Sequence, residues 1–218
     1  MVHSPQITEK NEFNLGGHIS SSVLEAHTSY SPINNWALIL STSVTGNSIT
    51  VLNNIDGAIG YYNKINEHLF YETYLGYGHG NTYKENCFYF KGGDKSYIVK
   101  SAEYHKFFGQ AALIITEKKF VTASIGTRFN YVDFYNMKSR YEYTLPDKLY
   151  GFYIDPFFSL RSGIQLISIQ AQFGYSFDVL KKYDITFKPS VIFGLGIIFS
   201  PSYPAYKKLK KVIDENIN

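Results

Sequence analysis

The stretch Ile185–Phe199, ITFKPSVIFGLGIIF, alternates with a period of two. Its odd positions, Ile185, Phe187, Pro189, Val191, Phe193, Leu195, Ile197 and Phe199, are all apolar. The even positions are Thr186, Lys188, Ser190, Ile192, Gly194, Gly196 and Ile198. Successive side chains of a β-strand point to opposite faces, so one side meets something greasy and the other something small or polar. Two upstream segments follow the same rule. From Gln165 to Phe177, Ile167, Ile169, Ala171, Phe173, Tyr175 and Phe177 oppose Ser168, Gln170, Gln172, Gly174 and Ser176. From Val121 to Tyr135, Val121, Ala123, Ile125, Phe129 and Tyr131 oppose Thr122, Ser124, Gly126, Arg128 and Asn130.

Composition agrees with an all-β chain: 20 Tyr, 17 Phe and 17 Gly favour pleated surfaces and tight turns. Weaker alternation predicts further strands near 12–20, 23–31, 36–46, 55–63, 68–79, 97–115 and 149–161, which makes ten. The count is weakest at Ser21 and Ser22, where a bend within one long strand would replace the link, and eight strands is the alternative. In 97–115 each face mixes apolar and polar residues, and a bulge there would shift the register. Several strands reach twelve residues or more, beyond the usual five or six of soluble sheets and enough to cross a bilayer at a tilt. Tight turns at 32–35, 64–67, 117–119 and 161–163 alternate with longer or more polar links at 47–54, 80–96, 137–148 and 179–184. Short turns on one rim and longer loops on the other are the construction of an outer-membrane barrel. The expected fold is a single antiparallel up-and-down transmembrane β-barrel over 12–200. An N-terminal periplasmic segment (1–11) and a basic periplasmic tail (201–218) flank it. Tyr30, Trp36, Phe70, Tyr71, Tyr131, Tyr135, Tyr150, Phe152 and Tyr175 fall near strand ends, where amphipathic rings suit a lipid–water boundary.

Parity assigns the lumen a polar set: His18, Glu25, His27, Asp56, Glu72, Lys106, Gln110, Arg128, Gln170, Gln172 and Lys188. A charge facing lipid is strongly disfavoured, so these groups must turn inward and satisfy one another. Arg128 is placed at the centre of a network with Glu72 and Asp56. Narrow barrels are filled by their own side chains, which predicts a polar plug; a solute path is the alternative.

Several functions are disfavoured. A net charge of +3 gives no polybasic face for nucleic acid. The single cysteine, Cys87, excludes an intramolecular disulfide and a cysteine-rich metal site. Six histidines lie without a close ligand pair, so neither metal nor cofactor is expected. His79, Glu103, His105, Asp133 and Ser101 approach the outer half without a motif that joins them, and no enzyme is expected. The longest apolar run, Ala111–Ile115, is far too short for a transmembrane helix. Residues 1–15 lack a basic region followed by an apolar core, so the numbering is expected to be that of a mature, exported chain. A loop over Asn81–Lys95, with Tyr83, Phe88, Tyr89 and Phe90, offers a contact for another outer-membrane protein or a glycan, and folding back over the barrel mouth is the alternative.

The final strand, VIFGLGIIF, with Gly194, Ile197 and Phe199, resembles the C-terminal signal read by the barrel assembly machinery. In this chain 19 residues follow Phe199, whereas the signal usually ends the protein. Residues 5–200 as a whole resemble the small, mostly uncharacterised outer-membrane barrels of the Bacteroidetes. The resemblance is carried by AHTSYSPINNWAL (26–38), GAIGYYNKI (57–65), ETYLGYGHG (72–80) and ASIGTRFNYVDF (123–134). It implies a barrel in the cell outer membrane, surrounded by its lipid, with both termini periplasmic. The function expected is that of a structural or accessory subunit, with a narrow pore as the alternative, and an outer-membrane enzyme or a soluble lipocalin-like binder behind both. In the tail, Lys207, Lys208, Lys210 and Lys211 accompany Leu209, Val212, Ile213 and Ile217 at partly helical spacing.

Overall fold

The computed structural model of the chain describes residues 5–20, 23–46, 50–92, 95–117, 121–139, 149–163, 166–180 and 191–201. These residues form ten strands: β1 (Phe13–Ser20), β2 (Val23–Ile33), β3 (Trp36–Gly46), β4 (Thr50–Lys64), β5 (Leu69–Gly92), β6 (Lys95–Glu117), β7 (Val121–Ser139), β8 (Leu149–Gly163), β9 (Ile167–Tyr175, resuming as Phe177–Asp178) and β10 (Val191–Phe199). Each strand pairs antiparallel with its sequence neighbours, and β1 pairs with β10, so the sheet closes. β1 and β2 pair from Phe13↔Tyr30 to Ile19↔Leu24, which makes them separate strands and fixes the count at ten.

The registers define the shape. Stepping across paired residues from Arg161 leads through Gln170, Gly196, His18, Glu25, Ser43, Asn54, Gly80, Tyr104 and Phe134 back to β8 at Leu149. The circuit returns twelve residues from its start, between Arg161 and Leu149. Ten strands with that stagger tilt by about 40°. At strand spacings of about 4.8 Å the backbone cylinder then has a radius of about 10 Å, narrow enough for side chains to fill.

Local chemistry sets the turns. Asn35 adopts φ 67°, a conformation that Asn tolerates and branched residues do not, and its amide donates to the Tyr62 carbonyl at 2.9 Å. The Asn66 carboxamide oxygen accepts from the amides of His68 (2.9 Å) and Leu69 (3.0 Å), folding 65–68 into an Asx turn.

The connection expected as a loop over 81–95 is instead strand up to Gly92 and again from Lys95. β5 and β6 continue beyond the barrel as a two-stranded ribbon, paired to Gly92↔Lys95 with a register shift between Tyr83 and Phe88. β7 rises with them to Ser139. β4 begins at Thr50, which shortens the expected 47–54 link. Residues 140–148, 181–190 (with Lys188) and the tail from 202 lie outside the described residues.

Gly60 and Gly57 sit on one strand with opposite surroundings. A Cβ at Gly60 would lie 2.0 Å from the Tyr74 ring and 2.6 Å from the Thr73 carbonyl, whereas one at Gly57 meets nothing within 4 Å. Overpacking of this kind costs about 1–3 kcal/mol. Gly60→Ala is therefore expected to lower the thermal midpoint followed by circular dichroism, and Gly57→Ala to leave it unchanged.

Candidate functional site

In the lumen many polar side chains converge. His18, Glu25, His27, Asp56, Glu72, Gln110, Arg128, Gln170 and Gln172 are all buried there, and Lys106 is nearly so. These are residues that parity assigns to the inward face.

Three levels can be distinguished. The floor is formed by a segment that the sequence placed outside the barrel. Pro5, Gln6 and Ile7 are buried within it, at the rim where β1 begins. Ile7 packs in a cluster with Ala37, Ile39, Tyr62 and Tyr74. The Gln6 carboxamide donates to Ser159 at 2.9 Å and to Ser124 at 3.3 Å, and the Asn14 amide donates to the Pro5 carbonyl at 3.2 Å. The Glu12 carboxylate accepts from the backbone of Thr8 (2.8 Å) and Glu9 (3.2 Å), which holds the turn leading into β1. Burial pushes that carboxyl above the usual carboxylate range, against the lowering effect of the Thr8 hydrogen bond. Beside the floor Arg161 reaches Ser168 at 2.7 Å and also Asn14 and Ser200, tying β8, β9, β1 and the end of β10 together.

The middle level carries the charges. Lys106 Nζ lies 2.6 Å from Asp56 Oδ2, and Arg128 Nη1 lies 3.9 Å from the same oxygen. Arg128 Nε donates to Gln110 Oε1 at 2.9 Å, and the guanidinium stands 4.4 Å from the centre of the Phe108 ring. Gly78 makes room for the ion pair, since a Cβ there would meet Asp56 Oδ1 at 2.0 Å. Asp155 accepts from Asn130 (2.7 Å) and from Ser176 (2.6 Å). Across the barrel the rings of His18 and His27 stack at 5.0 Å, with Glu25 opposite His18 in register. Of the network expected around Arg128, Asp56 is present as a direct partner. Glu72 lies lower, opposite Tyr62, and accepts from the Tyr74 hydroxyl at 3.4 Å.

The upper level is largely apolar: Tyr104, Val132, Phe134, Leu149 and Tyr153 are buried, with the Tyr104 and Phe134 rings 5.8 Å apart. A floor, an ionic middle and an aromatic upper level therefore occupy the lumen among the described residues. Such an arrangement can rigidify a wall and fix its register, with Asp56 shared by Lys106 and Arg128.

The outward face is the inverse. Leu75 is 72% exposed, Ile19 64% and Ile197 63%, in a continuous band with Leu24, Leu38, Leu40, Ile55, Ile59, Leu113, Ile125 and Leu195. At one edge Trp36 meets Tyr61 edge-on at 5.8 Å, and Tyr61 lies 6.2 Å from Tyr71. Near the other, Tyr131 stacks on Tyr150 at 6.1 Å and Tyr175 lies 4.5 Å from Phe177. The residues considered for catalysis, His79, Glu103, His105 and Asp133, stand on the outward wall above this band. Among the described residues, no group of three or more His, Cys, Asp or Glu is arranged to hold a metal ion. Of the expected contact residues, Tyr83 is exposed and paired with Ser101, and Phe88, Tyr89 and Phe90 are ribbon residues. Gly194, Ile197 and Phe199 lie on β10, with Ile197 and Phe199 facing outward.

No family model matches the chain, and no curated protein matches it in sequence.

Removing one partner of a buried charge cluster leaves the others uncompensated, at a cost of about 3–5 kcal/mol. Asp56→Ala, which removes the carboxylate that Lys106 and Arg128 both approach, is expected to lose that much in urea unfolding. Adding Lys106→Met should restore part of the loss. Equal stability of Asp56→Ala and the parent would contradict the network.

Proposed function

We propose that the protein is an outer-membrane barrel with a sealed lumen, serving as a structural or accessory subunit of an envelope assembly. The inversion of its surfaces carries this reading: charges and amides are buried inside the cylinder while large aliphatic side chains cover its exterior. A soluble lipocalin-like binder would have the opposite arrangement. On β7 the outward residues stay free of charge from Val121 to Tyr131, and Asp133 is the first charged one. Ten residues at about 3.3 Å each and a tilt of about 40° give a height of about 25 Å, the thickness of the lipid-facing band of outer-membrane barrels. The resemblance to Bacteroidetes barrels supports the same address, with both chain ends on the short-turn, periplasmic side. The filled lumen favours the accessory role over the narrow pore. The aromatic-rich ribbon of β5 and β6, rising on the far side, supports contact with a second envelope protein. The β10 motif supports insertion by the barrel assembly machinery.

Heat-modifiable migration in detergent gels tests the membrane reading: the unboiled chain should run apart from the boiled one. A monomer that stays in solution without detergent would sink it. Purified protein should remain silent in planar bilayers, whereas steady conductance would move the reading to a pore. Leu75→Arg separates lipid from water directly. At 72% exposure the change is harmless in a soluble barrel; facing lipid it should cost about 2–4 kcal/mol of folding free energy in phospholipid vesicles.

A further inference from the structure

Above the apolar band, the wall of β5, β6 and β7 carries a connected set of rings on its outward face. Phe107 meets Tyr77 at 5.2 Å, Tyr77 stacks on His105 at 5.7 Å, and His105 stacks on Tyr135 at 4.5 Å. His79 lies 5.5 Å from His105 and 6.3 Å from Tyr135. Hydrogen bonds lock the set: Tyr77 Oη to His105 Nδ1, and Tyr135 Oη to His79 Nδ1 at 3.2 Å. Beside the rings stand two carboxylates and an amide. Glu103 pairs with Tyr135 across the strands, Asp133 pairs with His105, and Asn81 pairs with Glu103. Lys138, opposite Ser101, is one pair higher. Directly above Tyr135, Asn136 takes φ 48° where the register shifts, which ends the flat part of the wall.

We propose that this platform binds the saccharide headgroup of a membrane glycolipid. The proposal rests on the outer-membrane reading, because only then do Leu75, Leu113 and Ile125 below the platform mark acyl chains and the rings mark headgroup height. Faces of phenol and imidazole rings are electron-rich and apolar, and they take the C–H faces of a pyranose. Carboxylates at the side accept its hydroxyls through charge-assisted hydrogen bonds. The acidic flank also discriminates, since a phosphate at ring level would face Glu103 and Asp133. The opposite girdle, with Trp36, Tyr61 and Tyr71, shows rings without paired histidines or carboxylates at the same stations, and serves as the internal control.

The test uses the full chain in amine-oxide micelles, titrated with a diglucosyl diacylglycerol, a phosphatidylglycerol of the same acyl chains, and the free disaccharide. Native mass spectrometry should show the glycolipid retained at least tenfold better than the phospholipid. His105→Ala and Tyr135→Ala should abolish that preference and Tyr61→Ala should keep it, each variant first being shown to retain its heat-modifiable shift. Tyr135→Phe, which keeps the ring, should hold most of the preference. Equal retention of the two lipids, or a preference indifferent to His105→Ala and Tyr135→Ala, overturns the proposal. Free disaccharide binding as tightly as the glycolipid overturns the membrane source. A chain soluble without detergent refutes the outer-membrane reading itself, whereas a heat-modifiable barrel that does not discriminate between lipids refutes only the platform.

Discussion

Closure of the sheet by pairing β1 with β10 is the constraint from which the rest follows. A sheet whose first and last strands exchange hydrogen bonds has no open edge within the barrel wall, so its backbone needs no water to satisfy it. With every ladder made and a stagger of twelve residues, each side chain has only two destinations, lumen or exterior. Within the apolar band the sequence follows that division: large aliphatic residues cover the outside, while His18, Glu25, Asp56, Glu72 and Gln170 are shut within. Burying charge in a narrow cylinder is tolerable only because opposite charges arrive from different strands at one height. Asp56 from β4, Lys106 from β6 and Arg128 from β7 meet in this way.

Most of this fold was legible in the sequence because strands with one apolar and one polar face must alternate. Ile167–Tyr175 and Val191–Phe199 lie where the alternation put them, and the inward set from His18 to Gln172 was found by counting parity. The mixed faces of 97–115 have a physical explanation. β6 runs past the apolar band, so its upper outward residues, Glu103 and His105, become polar while its upper inward residues, Ala102 and Tyr104, become apolar. Periodicity fails where the outward face changes from apolar to polar. The same change hid the ribbon: 80–96 reads as a long link, although β5 runs on to Gly92 and β6 starts at Lys95.

The floor escaped detection for a different reason. Residues 5–8 have no periodicity, and their place is set by what the wall lacks. Ser31, Ala37, Ser124 and Ser159 are small and face inward near one rim, leaving room that a side chain of another segment must fill. A cluster of small inward residues at a barrel mouth was the available signal. Glu72 was misplaced because parity gives the face and not the height, and height requires the stagger.

The seam between β1 and β10 also bears on how the chain folds. Nine of the ten strand pairings among the described residues join neighbours in sequence and form as hairpins, with contacts that are short-range along the chain. The tenth joins Leu15 to Phe199 and cannot form until nearly the whole chain has assembled. The entropic penalty of long-range loop closure therefore falls on a single step. Arg161, Asn14 and Ser200 meet beside that seam, so the last contacts to form include a three-residue latch from opposite ends of the polypeptide. Until the latch engages, the nascent sheet keeps two bare edges, β1 and β10, and is the species that most needs protection from pairing with another copy of itself.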